Sequence, residues 1–241
     1  MKVTIRVLLP IFAMLHLLAG AAAAGSRWRI LGVPLDMPEE DGLDGQALEG
    51  IYEGDYGTRM PNNYGGYIAG HLHDSVLREL PFHHINSTMK DGRQLELWFS
   101  SREDGRKIFG VEFHVTLEGK AGKDPSAARK EAEAAFGKPD RVIASPSVPG
   151  QTILLFVDSS LPKEKRELVI AQLPQAQQMP QEDIDKFSRT DLRERVRILG
   201  ANFRGAVVTF YSFKGKVGGI DAELLDVERA RTVFNLELPR Q

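Results

Sequence analysis

The chain has 241 residues, a formal charge of −2, 42% hydrophobic and 27% charged residues, and no cysteine. That apolar content excludes wholesale disorder, and the near-neutral balance removes the electrostatic case for a nucleic-acid partner. The absence of cysteine excludes disulfides, thiolate metal sites, a thiol nucleophile and lipidation at an N-terminal Cys.

The first predicted element is an export segment. Lys2 and Arg6 give a positive start, residues 7–19 are apolar apart from Pro10 and His16, and residues 20–24 are all small. Positive, apolar, then small with an A-x-A site is the layout of a secretory signal peptide, cleaved after Ala24 or after Ala21. The competing reading is an uncleaved anchor. Residues 7–24 are only just long enough to span a bilayer, and they end in weakly hydrophobic Ala and Gly. Removing Lys2 and Arg6 takes the formal charge from −2 to −4, and no later segment is apolar enough to be a transmembrane span. An exported chain without cysteine fits a bacterial envelope. The expected location is the periplasm, with secretion beyond it second.

Residues 25–70 hold ten of the 23 glycines, with Asp, Glu and Asn filling much of the rest. Glycine at that density favours loop over helix or strand, and only residues 28–35 read as a strand. Ile68, Leu72, Val76, Leu77 and Leu80 then recur at near-helical spacing up to Pro81. Residues 82–89 form a candidate strand, Asp91-Gly92 a hairpin turn, and residues 94–100 a strand with Leu95, Leu97 and Phe99 on one face. The clearest alternation follows. Phe109, Val111, Phe113, Val115 and Leu117 share one face, while Glu112, His114, Thr116 and Glu118 share the other, toward water.

Asp124-Pro125 opens a helix with an N-cap acceptor and proline at the first position, and Gly137 with Pro139 stops it. Its narrow face of Ala128, Ala132, Ala135 and Phe136 lets it sit close to a sheet. Strands follow at 141–144 and 152–158, and a third is expected at 168–173 after a charged loop, 162–166. Residues 174–181 form a polar linker. A polar helix at 182–199, a hairpin of 206–213 and 217–225 around Lys214-Gly215-Lys216, and a helix capped by Asp226 complete the chain.

The fold class is therefore α+β: an antiparallel sheet packed by helices, with a long Gly/Tyr-rich N-terminal loop region. The expected units are a signal peptide at 1–24, a loop arm plus main domain at 25–173, and a smaller C-terminal unit at 182–241. That last unit is too small to bury much alone, so it is expected to pack on the same sheet.

From Gly110 to Asp158 the chain runs through a long strand, an Ala-rich helix ending Phe136-Gly137-Lys138-Pro139, and a strand pair. This passage resembles the small α+β domains of bacterial envelope proteins of the SmpA and beta-lactamase-inhibitor-like group. The resemblance covers about a fifth of the chain. It implies a role in binding or assembly and supplies no functional residues.

Two side-chain groups compete for the functional site. Tyr52, Tyr56, Tyr64 and Tyr67 are four of the five tyrosines, interspersed with Gly, Asn and Arg59. Rigid amphipathic rings on adaptable backbone are the composition of recognition loops, so Tyr52, Tyr56, Arg59, Tyr64 and Tyr67 form the expected ligand-binding surface, for an envelope protein or a glycan. The plainer reading has these rings folded back as cover for the sheet. The second group is His71, His73, His83 and His84 with Asp74, which an envelope hydrolase could use to hold a metal. Its spacing matches no zinc signature, so the expectation is no metal and no cofactor, leaning away from an enzyme.

The catalytic templates G-x-S-x-G, H-E-x-x-H, P-loop and G-x-G-x-x-G are all missing. Ser100, Ser101, Ser159 and Ser160 sit at strand ends without an assigned base. A glycosidase-like pair such as Glu53 and Glu112 is one of many combinations, and His114 is a conceivable base. The pairs Glu39-Glu40 and Asp36-Asp41, the run 163–167 and the arginines 189, 193, 195 and 197 all read as solvated surface.

Overall fold

The structure, a computed structural model, describes residues 28–38, 55–59, 67–69, 83–88, 93–117, 122–144, 150–173, 192–200 and 202–234. For 55–59, 67–69 and 83–88 it describes the backbone. The export segment, residues 70–82, the turn at 91–92 and the linker at 174–181 lie outside the described residues.

The chain opens with a minimal hairpin of β1 (Arg29–Ile30) and β2 (Val33–Pro34). Leu31 and Gly32 both take positive φ at its turn, the geometry that matches strand twist in two-residue hairpins. Next come β3 (Asp55–Arg59), β4 (Tyr67–Ala69), β5 (His83–Thr88), β6 (Gln94–Phe99) and β7 (Ile108–Thr116). Helix α1 (Pro125–Phe136) precedes β8 (Arg141–Ala144) and β9 (Gln151–Val157). Helices α2 (Lys163–Gln172) and α3 (Leu192–Leu199) lead to the hairpin β10 (Arg204–Phe213) and β11 (Lys216–Asp226), and α4 (Val227–Phe234) follows.

Strands β3 to β11 form one antiparallel sheet in the order β4-β3-β5-β6-β7-β11-β10-β9-β8. The C-terminal hairpin thus supplies the centre of the sheet, with β11 paired to β7 and β10 to β9. One face packs Leu95, Leu97, Val111, Phe113, Val208 and Leu224 beneath Ala128, Ala132 and Phe136 of α1 and beneath the β1–β2 hairpin. Alanine at the contact brings α1 close to the sheet. Asp124 caps it by accepting from Ser126 N at 2.8 Å and Ala127 N at 3.2 Å. The opposite face buries Ile143, Ile153, Leu155 and Val207 under Val169 of α2, Leu192, Val196 and Leu199 of α3, and Ala230 and Phe234 of α4.

Several features differ from the sequence reading. Residues 55–59 and 67–69 are strands within the segment expected to be loop, because β5 offers β3 a complete ladder and pairing overrides a glycine-rich composition. Ile68 therefore lies in a strand and opens no helix. Residues 163–172 are helical where a loop and then a strand were expected. The apolar triplet Leu168–Ile170 is too short for its period to decide, and only Val169 of it is fully buried.

Phe109 leaves the face it was assigned. Trp98 pairs with Gly110 but Phe99 pairs with Ile108, so a β-bulge at Phe109 turns its ring to the other core, against Trp98 and Phe234. Asp36 is no solvated loop acid either. It accepts from Arg204 at 2.6 Å and from Arg229, tying the N-terminal arm to the far end of β10 and to α4. Burial opposes its charge, yet those two guanidinium groups hold its carboxyl below the usual carboxylate range. Arg204 also reaches Asp226 at 2.6 Å and Asp158 at 3.2 Å.

Candidate functional site

On the face covered by α2, α3 and α4, the sheet changes chemistry along its strands. Along β6, β7 and β11 apolar side chains give way to a polar field that Arg195 of α3 reaches. In an antiparallel ladder directly opposed residues share a face. The register sets Glu96 opposite Glu112 and Glu112 opposite Glu223, a row of three carboxylates across β6, β7 and β11. The next row sets Gln94 opposite His114 and His114 opposite Asp221.

Arg195 comes down onto this field from α3. It sits three residues after Leu192 and one before Val196, so it shares the buried stripe of the helix and is only 8% exposed. The helix reaches this depth because Gly110 has no side chain. A Cβ there would meet Leu192 Cδ2 at 3.2 Å and Trp98 Cδ1 at 3.3 Å. Arg195 Nη2 donates to Glu112, and Nε lies 3.1 Å from Glu223 Oε2 in an ion pair not aligned as a hydrogen bond. Burial works against its charge, but Glu223 and Glu112 more than compensate and hold the guanidinium charged. Arg195 is therefore no solvated arginine, and Glu112 no water-facing carboxylate.

Glu112 and Glu223 share one guanidinium and remain under-satisfied. Glu112 Oε1 and Glu223 Oε2 are both buried without a hydrogen bond. Glu223 is 6% exposed. Burial, reinforced by Glu112, Asp221 and Glu96 and only partly offset by Arg195, pushes its carboxyl up to about 8.

Beside it, Asp221 accepts from His114 Nδ1 and, at 2.6 Å, from the Tyr211 hydroxyl. The bond to Asp221 raises the His114 imidazole above its ordinary value. Burial and then Asp221 raise the Tyr211 phenol, which stays protonated. His114 Nε2 lies 3.1 Å from Thr116 Oγ1.

These side chains line a cleft of about 170 Å³ bounded by Glu96, Glu112, Glu223, Asp221, His114 and Arg195. A shallower groove of about 590 Å³ adjoins it, sharing His114 and Asp221 and running past Tyr211 to Phe213. The arrangement can place several carboxylate oxygens around one small guest, and a protonated carboxyl beside an arginine-paired one.

The tyrosine surface and the histidine group expected from the sequence lie only partly within the described residues. Arg59 and Tyr67 are register partners on β3 and β4, and Tyr56 stands opposite Ser87, on strands that β5 separates from those of the cleft. Tyr52 and Tyr64 lie outside the described residues, as do His71, His73, Asp74 and Glu53. His83 and His84 stand opposite Phe99 and Trp98 on β5. Among the described residues no group of three His, Cys, Asp or Glu side chains could hold a metal ion, and no helix is long and apolar enough to cross a membrane.

Compared with family models, with curated proteins and with solved structures, the chain has no match. The cleft must therefore be read from its own geometry. Glu112 and His114 were visible in the sequence as polar strand positions. Asp221 and Glu223 were missed, although they continue the alternation of the second hairpin strand between Ile220, Ala222 and Leu224. The one-dimensional signal for Arg195 was its place in the Leu192–Val196–Leu199 stripe.

Proposed function

We propose that this chain is an exported, non-enzymatic binding protein of the bacterial envelope, and that the carboxylate cleft between β6, β7, β11 and α3 receives a cationic group. One observation carries the reading: Glu112 and Glu223 line one small cleft around a single shared guanidinium, and Glu112 Oε1 and Glu223 Oε2 are buried without hydrogen bonds. Two carboxyls directly opposed under one arginine resist ionising together, which keeps the proton on Glu223, and buried acceptors left unsatisfied cost about 1–3 kcal/mol each. A guest bearing N–H donors and positive charge would relieve both.

Calorimetric titration with methylguanidinium and with butylammonium tests this. Binding is expected for the wild type and its loss for Glu112→Gln and Glu223→Gln. Absence of heat with either cation at millimolar concentration removes the proposal.

The tyrosine-rich segment with Tyr52, Tyr56, Arg59, Tyr64 and Tyr67 is a second contact surface within the same reading, toward a partner protein or a glycan. Replacing the four tyrosines with Ser should abolish partner capture and leave the melting temperature nearly unchanged. A large stability loss would make the rings core.

A second reading, an acid–base hydrolase, is favoured by Glu223 holding its proton opposite an arginine-paired Glu112. Turnover of chromogenic glycosides that is lost in Glu223→Gln would replace the binding role with it.

A further inference from the structure

The cleft and the groove share two residues and differ in everything else. The deep end is narrow, acidic and roofed by α3. The outer end is open and largely apolar: Tyr211 lies across Gly219, where a Cβ would meet its ring at 3.3 Å, and Phe213 is 73% exposed beyond it. Phe213 is the most exposed large hydrophobic side chain among the described residues, and Lys214 Nζ stands 5.3 Å from its ring centroid. A guest filling both ends needs a slim cationic head and an apolar body set a few ångströms behind it.

Size decides among cationic guests. A cavity of about 150 Å³ takes one benzene, so the 170 Å³ cleft admits a guanidinium or ammonium on a short methylene stem. An amino sugar carries its ammonium directly on a substituted ring about twice as large in heavy atoms, which would have to stay outside. Backbone pairing is not the mode of entry either. Strands β7, β11 and β10 are hydrogen-bonded on both sides, so a peptide cannot add to the ladder here and must insert a side chain through the face. Glu223, more than nine-tenths buried and with Oε2 ion-paired to Arg195 but not hydrogen-bonded, lines the cleft that such a side chain would enter.

We infer that the cleft and groove together recognise a peptide segment of a partner protein, an arginine entering between Glu112, Glu223 and Asp221 and the apolar side chain after it resting on Tyr211 and Phe213. This rests on the cation-binding reading above and adds the class of ligand to it. Arginine is favoured over lysine because a planar fork of donors matches several carboxylate oxygens at once.

The test uses fluorescence anisotropy of the full chain with three labelled hexapeptides: Gly-Ser-Arg-Leu-Ser-Gly, the same with citrulline for Arg, and the same with Ser for Leu. The Arg-Leu peptide is expected to bind about ten-fold tighter than the Arg-Ser peptide, and the citrulline peptide not to bind. Phe213→Ser, at an exposed tip where folding does not depend on it, should reduce the Arg-Leu peptide to the Arg-Ser level while leaving methylguanidinium binding unchanged. If methylguanidinium binds but the Arg-Leu and Arg-Ser peptides are equal, the peptide inference falls and the cation cleft stands. If the small cation also fails to bind, both fall. Glucosamine displacing the Arg-Leu peptide more effectively than acetyl-argininamide would assign the groove to an amino sugar and overturn the inference.

Discussion

Replacing Arg195 with methionine removes the guanidinium shared by Glu112 and Glu223 while keeping the aliphatic bulk between Leu192 and Val196. Removing one partner of a buried ion pair costs about 3–5 kcal/mol because the other charge is stranded. Here the figure depends on pH. At pH 8 the wild-type Glu223 is about half ionised, and without Arg195 it must bind a proton or stay charged opposite Glu112. The low end of that range, about 3 kcal/mol, is expected. At pH 5 Glu223 is already protonated, and the loss is mainly the hydrogen bond to Glu112, about 1–2 kcal/mol. With about 2–4 °C per kcal/mol for a chain of this size, the melting temperature should fall about 6–12 °C at pH 8 and about 2–8 °C, a third to two thirds as much, at pH 5. Adding Glu223→Leu to Arg195→Met should recover most of the loss at pH 8, since an apolar residue replaces the stranded carboxyl. Thermal and urea unfolding at the two pH values measure this. An equal or larger loss at pH 5, or no recovery in the double variant, would refute the electrostatic account of the cleft.

The wild type should be most stable near pH 5. Between the ordinary carboxylate range and about 8, native Glu223 holds a proton that the unfolded chain releases, and His114 does the same above its ordinary value, so stability declines as pH rises by up to about 1.4 kcal/mol per unit for each proton. Asp36, held low, contributes above pH 3.8 and loses that contribution as pH falls through its native value; a melting temperature climbing steadily from pH 5 to 9 would contradict these assignments. Gly110→Ala should cost about 1–3 kcal/mol by pressing on Leu192 and Trp98, and the displaced Arg195 should weaken methylguanidinium binding, measured by calorimetry. Asp36→Asn should cost about 2 kcal/mol by weakening the bonds from Arg204 and Arg229, and limited proteolysis should then cut nearer to residue 28; an unchanged cleavage pattern would mean the arm is held by Ile30 and Val33 alone.

How much of this was legible in the sequence follows from the range of the interactions. Asp124-Pro125 announced α1, and Gly215 announced the β10–β11 turn, because caps and turns are local chemistry. The alternation around Glu112 and His114 correctly marked a polar strand face. It could not show that this face meets Asp221 and Glu223 more than a hundred residues on, since register between distant strands leaves no local trace. The bulge at Phe109 was hidden for the same reason: alternation runs through it unbroken, and only the pairing with β6 reveals the extra residue. Arg195 was misread by counting charges along 189–197 instead of asking which face each charge shares.

Strand β7 has its ladder partner β11 at residues 219–225, so the middle of the sheet closes only once a segment more than a hundred residues further along has been made. Until then the earlier strands present an unpaired edge, and contacts this remote in sequence form slowly. Loss of the last forty residues would therefore leave a sheet without its keystone rather than a shortened protein.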